Sequence, residues 1–272
     1  SGQRNRALGG AIQLRVTDAF DNAIPGAPFE VSVTSGAGSV DTPSGQANAE
    51  GRATLRWTLG AALGRQTLEV QSGEALAVIE AVSTTTPTAV TVAAGDGQSG
   101  PVATLTEVAP AVLVTDEDDL PVPGVDVTFT VTSGGGTLAE AGDELVVRTD
   151  DDGVASVAWT LGTEAGSDNQ ELEARVGELE PATFTASAVA GPAASIESAA
   201  GEGQSGGVGL ELDGALEVRV ADEYDNPVEG ADVDFAVTSG DGAVSPATAA
   251  TGADGIASTR WTLGPDEGEQ TA

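Results

Sequence analysis

GRATLRWTLG, residues 51–60, returns as GVASVAWTLG at 153–162 and as GIASTRWTLG at 255–264. In the first copy Ala53, Leu55, Trp57 and Leu59 share one parity, and Thr54, Arg56 and Thr58 the other. The later copies place Ala155, Val157, Trp159 and Leu161, then Ala257, Thr259, Trp261 and Leu263, on the apolar parity. A period of two sends alternate side chains to opposite faces, so the segment predicts a half-buried antiparallel strand with its Trp turned inward. Trp57, Trp159 and Trp261 are the only Trp residues and stand 102 residues apart. A sugar-stacking role for them is disfavoured, because the residues two positions away are apolar and share the same face.

Working upstream, each copy is preceded by a second shared block: VTDAFDNAIPGAPFEVSVTSGAG from Val16, VTDEDDLPVPGVDVTFTVTSGGG from Val114, and VADEYDNPVEGADVDFAVTSGDG from Val220. These blocks carry two more alternating strands. One holds Phe29, Val31 and Val33, then Val127, Phe129 and Val131, then Val233, Phe235 and Val237; the other holds Leu14 and Val16, Val112 and Val114, or Val218 and Val220. Between them lie Asp21 to Gly26, Asp119 to Gly124 and Asp225 to Gly230, rich in the Asp, Asn, Pro and Gly that turns require. Gly51, Gly153 and Gly255, each after an acidic residue, mark a hairpin turn into the Trp strand. GDGQSG at Gly95 and GEGQSG at Gly201 form a third block. No segment has a 3.6-residue period, so almost no helix is expected.

A period of 102 residues is too long for a solenoid repeat and fits a sandwich domain of roughly 100 residues. The expected fold is all-β: tandem immunoglobulin-like β-sandwiches arranged end to end, with domains at 1–87, 88–191 and 192–272. Linkers of a few residues favour a stiff array, and three such domains would extend roughly 100 Å.

Composition narrows the chemistry. The 272 residues contain no His, Cys, Met or Lys, and all ten basic residues are Arg. The usual neutral-pH acid–base residue, a thiolate nucleophile, a disulfide and a Schiff base are therefore excluded. The net charge of −33 repels nucleic acid and anionic membranes and favours solubility. No apolar run reaches the ~18 residues of a membrane span.

The Val-x-Asp block, the Pro-x-Pro-Gly or Pro-Val-x-Gly turn, the Val-x-Phe-x-Val strand and the Gly-x-Ala-x-x-x-Trp-x-Leu-Gly strand resemble the bacterial Ig-like group 1 repeats of invasin and intimin. The resemblance recurs in all three copies and covers most of the chain. It implies a rigid extracellular stalk on a bacterial surface, with any receptor-binding module usually at the far end. Leu120 departs from the pattern, standing where the other copies have Asn22 and Asn226. No receptor-binding residue is implied for this segment.

The second repeat runs from Gly162 to Gly191 after its Trp strand, whereas only eight residues follow Gly264. The first repeat begins at a point matching Gln98. Two last strands of the third repeat and the first strand of the first are thus expected to come from a longer chain or, alternatively, from a neighbouring subunit.

The sequence carries no catalytic, cofactor-binding or metal-binding motif. Asp116, Asp118 and Asp119, and Asp150, Asp151 and Asp152, are acidic turn clusters that raise the question of calcium, but no EF-hand or nonapeptide spacing accompanies them. The Gly-rich blocks lack the Lys and helix of a phosphate loop. One Tyr and five Phe leave little for glycosidase subsites, and a threefold repeat argues against one active site. The expected function is a non-enzymatic structural stalk or filament module outside a bacterial cell. The expected partners are further Ig-like repeats of the same chain or of neighbouring subunits. The second reading is an adhesin module that recognises a receptor or glycan through repeat loops.

Overall fold

A computed structural model of the chain describes every residue except Glu140. Among the described residues all regular structure is β-strand, and no helix is long and apolar enough to cross a membrane. The chain divides into two compact units, Ser1–Thr88 with Thr115–Val122, and Ala89–Val114 with Pro123–Ala272.

In the first unit a five-stranded sheet runs in the order Gly2–Gln3, Ala75–Thr84, Gly64–Ser72, Pro28–Ser35, Ser44–Gln46. Only Gly2–Gln3 joins its neighbour in parallel. Two short antiparallel ladders complete the sandwich: Ile12–Arg15 with Arg52–Leu55, and Ser39–Val40 with Trp57–Thr58. Alternation along each strand sends Phe29, Val31, Leu68, Val70 and Ala81 from the large sheet into one core with Leu55, Trp57 and Leu59. The Trp strand is therefore not one uninterrupted strand, as its pattern suggested. It changes partner at Arg56, whose N–H donates to the Asp41 carboxylate at 2.8 Å instead of continuing the ladder.

The second unit repeats this plan. Gln98–Pro101, Ala182–Val189, Gly166–Arg175, Asp126–Ser133 and Glu144–Arg148 form the five-stranded sheet. Ala89–Ala94, Ala111–Thr115 and Val154–Ser156 form a three-stranded one, and Thr137–Leu138 pairs with Trp159–Thr160. The Trp strand again changes partner, with the Val157 N–H donating to the Pro110 carbonyl at 3.0 Å. Further along, Ser195–Ala200, Leu216–Ala221, Ile256–Thr262 and Ala243–Ser245 make a four-stranded sheet, and Asp232–Asp234 pairs with Thr248–Ala250. Here the Trp strand is continuous, its first half pairing with Leu216–Ala221 and its second with Ala243–Ser245.

Trp57 and Trp159 are 0% exposed and Trp261 is 9% exposed. The difference follows from cover. Residues 265–272 form no counterpart of the strands Gly166–Arg175 and Ala182–Val189. Val233, Phe235, Trp261 and Leu263 consequently line an open groove of about 930 Å³.

One packing device recurs in all three repeats and was not read from the sequence. The Gly of Trp-Thr-Leu-Gly lies so close to the Gly of Thr-Ser-Gly that a β-carbon on Gly60, Gly162 or Gly264 would overlap the carbonyl oxygen of Gly36, Gly134 or Gly240. A Gln side chain locks each pair. Gly60, Gly162 and Gly264 donate their N–H groups to Gln66, Gln170 and Gln270 at 2.9, 2.8 and 2.8 Å. Gln66 and Gln170 are wholly buried, so these bonds satisfy backbone groups that water cannot reach. Gln170 and Asn169 also donate to the Glu164 carbonyl, at 3.4 and 2.8 Å, which fixes the loop after the Trp strand.

Candidate interface at the Asp turns

The Val-x-Asp block of each repeat folds into the same turn. Its Asp accepts from backbone N–H groups two and four residues on: Phe20 and Asn22 donate to Asp18 Oδ1 at 2.9 Å each, Asp118 and Leu120 to Asp116 Oδ1 at 3.1 Å each, and Tyr224 and Asn226 to Asp222 Oδ1 at 2.9 Å each. The turn closes with a positive φ at Asp21, Asp119 and Asp225, a conformation that Asp and Asn tolerate better than most residues. The sequence shows why these residues turn. Their surroundings, which decide what the turn does, differ from copy to copy.

In the second unit Asp222 and Asn226 of the 222–226 turn are buried against the preceding repeat. Gly191 donates its N–H to Asp222 Oδ2 at 2.8 Å. Asn226 Nδ2 donates to the Thr163 carbonyl at 2.9 Å, and the Ala165 N–H donates to Asn226 Oδ1 at 2.9 Å. Asn226 Nδ2 also donates to Asp222 Oδ2 at 2.9 Å. Thr163 and Ala165 belong to the loop that Gln170 and Asn169 hold. The amide of Asn226 thus meets one acceptor and one donor on a fixed backbone, a geometry that a carboxylate or an apolar side chain cannot satisfy. Burial pushes the Asp222 carboxyl up, but hydrogen bonds from Asn226, Gly191 and Tyr224 outweigh it and leave the group below its ordinary value.

In the first unit the 116–120 turn uses different chemistry. The Leu120 side chain has no donor to match the Asn226 amide, and Arg4 takes over. Its Nε donates to Asp116 Oδ2, and its Nη2 to the carbonyls of Leu120 and Pro121 at 2.8 and 2.9 Å. Thr85 Oγ1 donates to the same Asp116 oxygen at 2.7 Å. Around this buried pair, Asn5 donates to Asp118 at 3.2 Å, and Arg6 pairs with Glu117 and Asp118 at 2.8 and 3.1 Å. Burial would raise the Asp116 carboxyl, yet the bonds from Arg4, Thr85, Leu120 and Asp118 hold it at about 2.

A folded-state value below the unfolded one means that Asp116 stabilises the first unit above pH ~4 and that this contribution fades as the pH falls from ~4 towards ~2. Allowing for solvent screening, the contribution is on the order of 1–2 kcal/mol. Urea titrations between pH 5 and pH 2 check this by difference. The wild type is expected to lose that much more stability over the window than Asp116→Asn, and parallel curves would contradict it.

The acidic residues singled out for calcium are now placed. Both Asp116 oxygens and both Asp118 oxygens accept hydrogen bonds within the protein. Asp150 Oδ1 accepts from the Asp152 and Val154 N–H groups, closing the turn before the Trp strand, while Asp151 and Asp152 are exposed. Asp119 is exposed at its positive φ. Among the described residues no group of three or more His, Cys, Asp or Glu is placed to hold a metal ion. The partners of these buried groups, Arg4 for Asp116 and Thr163 and Ala165 for Asn226, were missed in the sequence because they lie 112, 63 and 61 residues away along it, and the relevant signal was the departure of Leu120 from Asn.

No protein-family model matches the chain, and no curated protein matches it. Among solved structures it is similar to FdeC, an adhesin of Escherichia coli, at 18% identity over 98% of this chain and 86% of that one, with a TM-score of 0.51. It is also similar to InvD of Yersinia pseudotuberculosis, at 14% identity over 100% and 84% of the two chains with a TM-score of 0.46. A third is invasin, a bacterial integrin-binding protein, at 15% identity over 97% and 53% with a TM-score of 0.45. The likeness is one of fold: the chain is all-β and Ig-like, as its repeats implied.

Proposed function

We propose that this chain is a stalk segment of a bacterial cell-surface protein, with Ig-like repeats at 1–87, 88–191 and 192–272 acting as spacers outside the cell. The observation that carries the reading is the joint at Asp222 and Asn226. There the linker Gly191 and the loop Thr163–Ala165 are hydrogen-bonded to the next repeat by buried groups, so bending at that point must break bonds in a place water cannot easily compensate. A non-enzymatic spacer also accords with the chemical inventory, and a charge of −33 discourages lateral clumping of neighbouring stalks. The adhesin fold-relatives support a surface location. Small-angle scattering tests the reading. A rod-like profile with a maximum dimension of roughly 100 Å is expected, and a compact or freely flexing profile would overturn it.

The adhesive reading has one specific observation in its favour. Leu76, Val78 and Val82 expose an apolar stripe on the outer face of the strand Ala75–Thr84, whereas the matching strand of the second repeat carries Thr183 and Ser187 at the places of Val78 and Val82. A glycan array and a cell-binding assay on the chain and its Val78→Thr, Val82→Ser variant separate the readings. Binding that the variant loses would support adhesion, and no binding by either protein would leave the spacer.

A further inference from the structure

We infer that the Asp18–Asn22 turn is a docking face for the end of another Ig-like repeat, and that a two-residue code selects which repeat fits it. The turn has the same backbone bonds to its Asp as its two counterparts but lacks their cover. Asp222 and Asn226 are 3% and 7% exposed, whereas Asp18 and Asn22 are exposed. Phe20 is 87% exposed where Tyr224, at the same place in the third repeat, is 42% exposed. Asn22 already points its amide at Asp18, as Asn226 does at Asp222. The face is therefore preformed, and its counterpart shows what covers it.

The code follows from the two occupied turns. Arg4 and Val102 occupy equivalent positions: each donates its backbone N–H to the last strand of its own repeat, at Thr84 and Val189, at 2.9 Å. Arg4 serves the turn with Leu120, supplying the donors that the Leu120 side chain cannot. Val102 packs beside Gly191 at the turn with Asn226, where the Asn supplies them. The mismatched pairings are poor. An Arg facing Asn22 would compete with its amide for one carboxylate oxygen, and a Val facing Leu120 would leave Asp116 buried without a cation. The Asp18–Asn22 turn is of the Asn type, so it takes a repeat that carries an apolar residue at the place of Val102. Val208, 46% exposed in the third repeat, is another residue of that kind.

The inference rests on the reading of the chain as part of a repeat array. It is tested by placing a copy of residues 89–204 directly ahead of Ser1, which reproduces the Gln-Ser-Gly junction found at Gln98 and Gln204. The readout is amide hydrogen exchange at positions 20 and 22, with the burial of every Trp confirming that all repeats are folded. Exchange is expected to slow at least tenfold relative to the unextended chain. Asn22→Leu in the extended chain is expected to remove the slowing, and adding Val102→Arg in the fused copy, which recreates the Arg4 and Leu120 pair, to restore it. Unchanged exchange in the extended chain would overturn the docking face. Slowing that survives Asn22→Leu, or that Val102→Arg fails to restore, would overturn the code. Either failure can occur while scattering still reports a rod, so it is distinguishable from failure of the stalk reading.

Discussion

Gly162→Ala is expected to unfold the second repeat at temperatures where the wild type is stable. The new methyl group would overlap the Gly134 carbonyl oxygen, and the neighbouring backbone cannot move aside independently. Gly134 lies at φ +83 and is packed against the Gln170 side chain, which in turn holds the Gly162 N–H. Relieving the overlap means breaking that buried bond and shifting the Trp strand with its indole. Effects above 4 kcal/mol come from a short list of causes, and combined overpacking and loss of a buried hydrogen bond is among them. A loss of about 4 kcal/mol would lower the melting temperature of a domain this size by roughly 15–30 °C. Gly100→Ala is the control. A β-carbon there meets only Leu161 at 3.6 Å and Thr104 at 3.9 Å, both ordinary contacts. Calorimetry should show it near wild type, and equal behaviour of the two variants would refute the packing argument.

Trp57→Ala comes next. The indole is 0% exposed and packs with Phe29, Leu55, Leu68 and Val70, so truncation leaves a large cavity between two sheets. Urea denaturation is expected to register a loss of about 3–5 kcal/mol. Trp261→Ala should lose no more than about half as much, because its site already opens on the groove beside Phe235 and Leu263 and has less to lose from a void. The indole N–H groups of Trp57, Trp159 and Trp261 have no hydrogen-bond partner. Their contribution is thus apolar packing, and Trp57→Phe should cost far less than Trp57→Ala. Equal losses for Trp57→Ala and Trp261→Ala would place the core elsewhere.

The Trp strand was legible because alternation over eight residues, repeated three times, has one structural meaning. The turns at Asp21, Asp119 and Asp225 were legible from their Asn, Pro and Gly, and Gly51 sits at the positive φ of +68 expected of a hairpin glycine. The Gly–Gln lock was not legible. Gln66 follows Trp57 by nine residues and Gln170 follows Trp159 by eleven, so loops of different length hide the equivalence. The division of the Trp strand at Arg56 depends on Asp41, whose role no local pattern announces. At the candidate interface the sequence displayed acidic turns without the spacing of a calcium site. The partners that consume those carboxylates, Arg4 for Asp116 and Gly191 for Asp222, lie 112 and 31 residues away and belong to other elements. A carboxylate's environment is set by tertiary packing, so its neighbours in sequence could not reveal whether it faces a cation, an amide or water.

The joint between repeats is most directly tested by amide hydrogen exchange on the intact chain, read at Ala165 and Gly191. Both residues lie outside strands, and their N–H groups bond to the side chains of Asn226 and Asp222 across the junction. Both are expected to be protected in the wild type. Asn226→Ala should release Ala165 while core amides such as those of Leu172 and Phe184 stay slow. Free exchange at Ala165 and Gly191 in the unaltered chain would contradict the fixed joint on which the stalk depends.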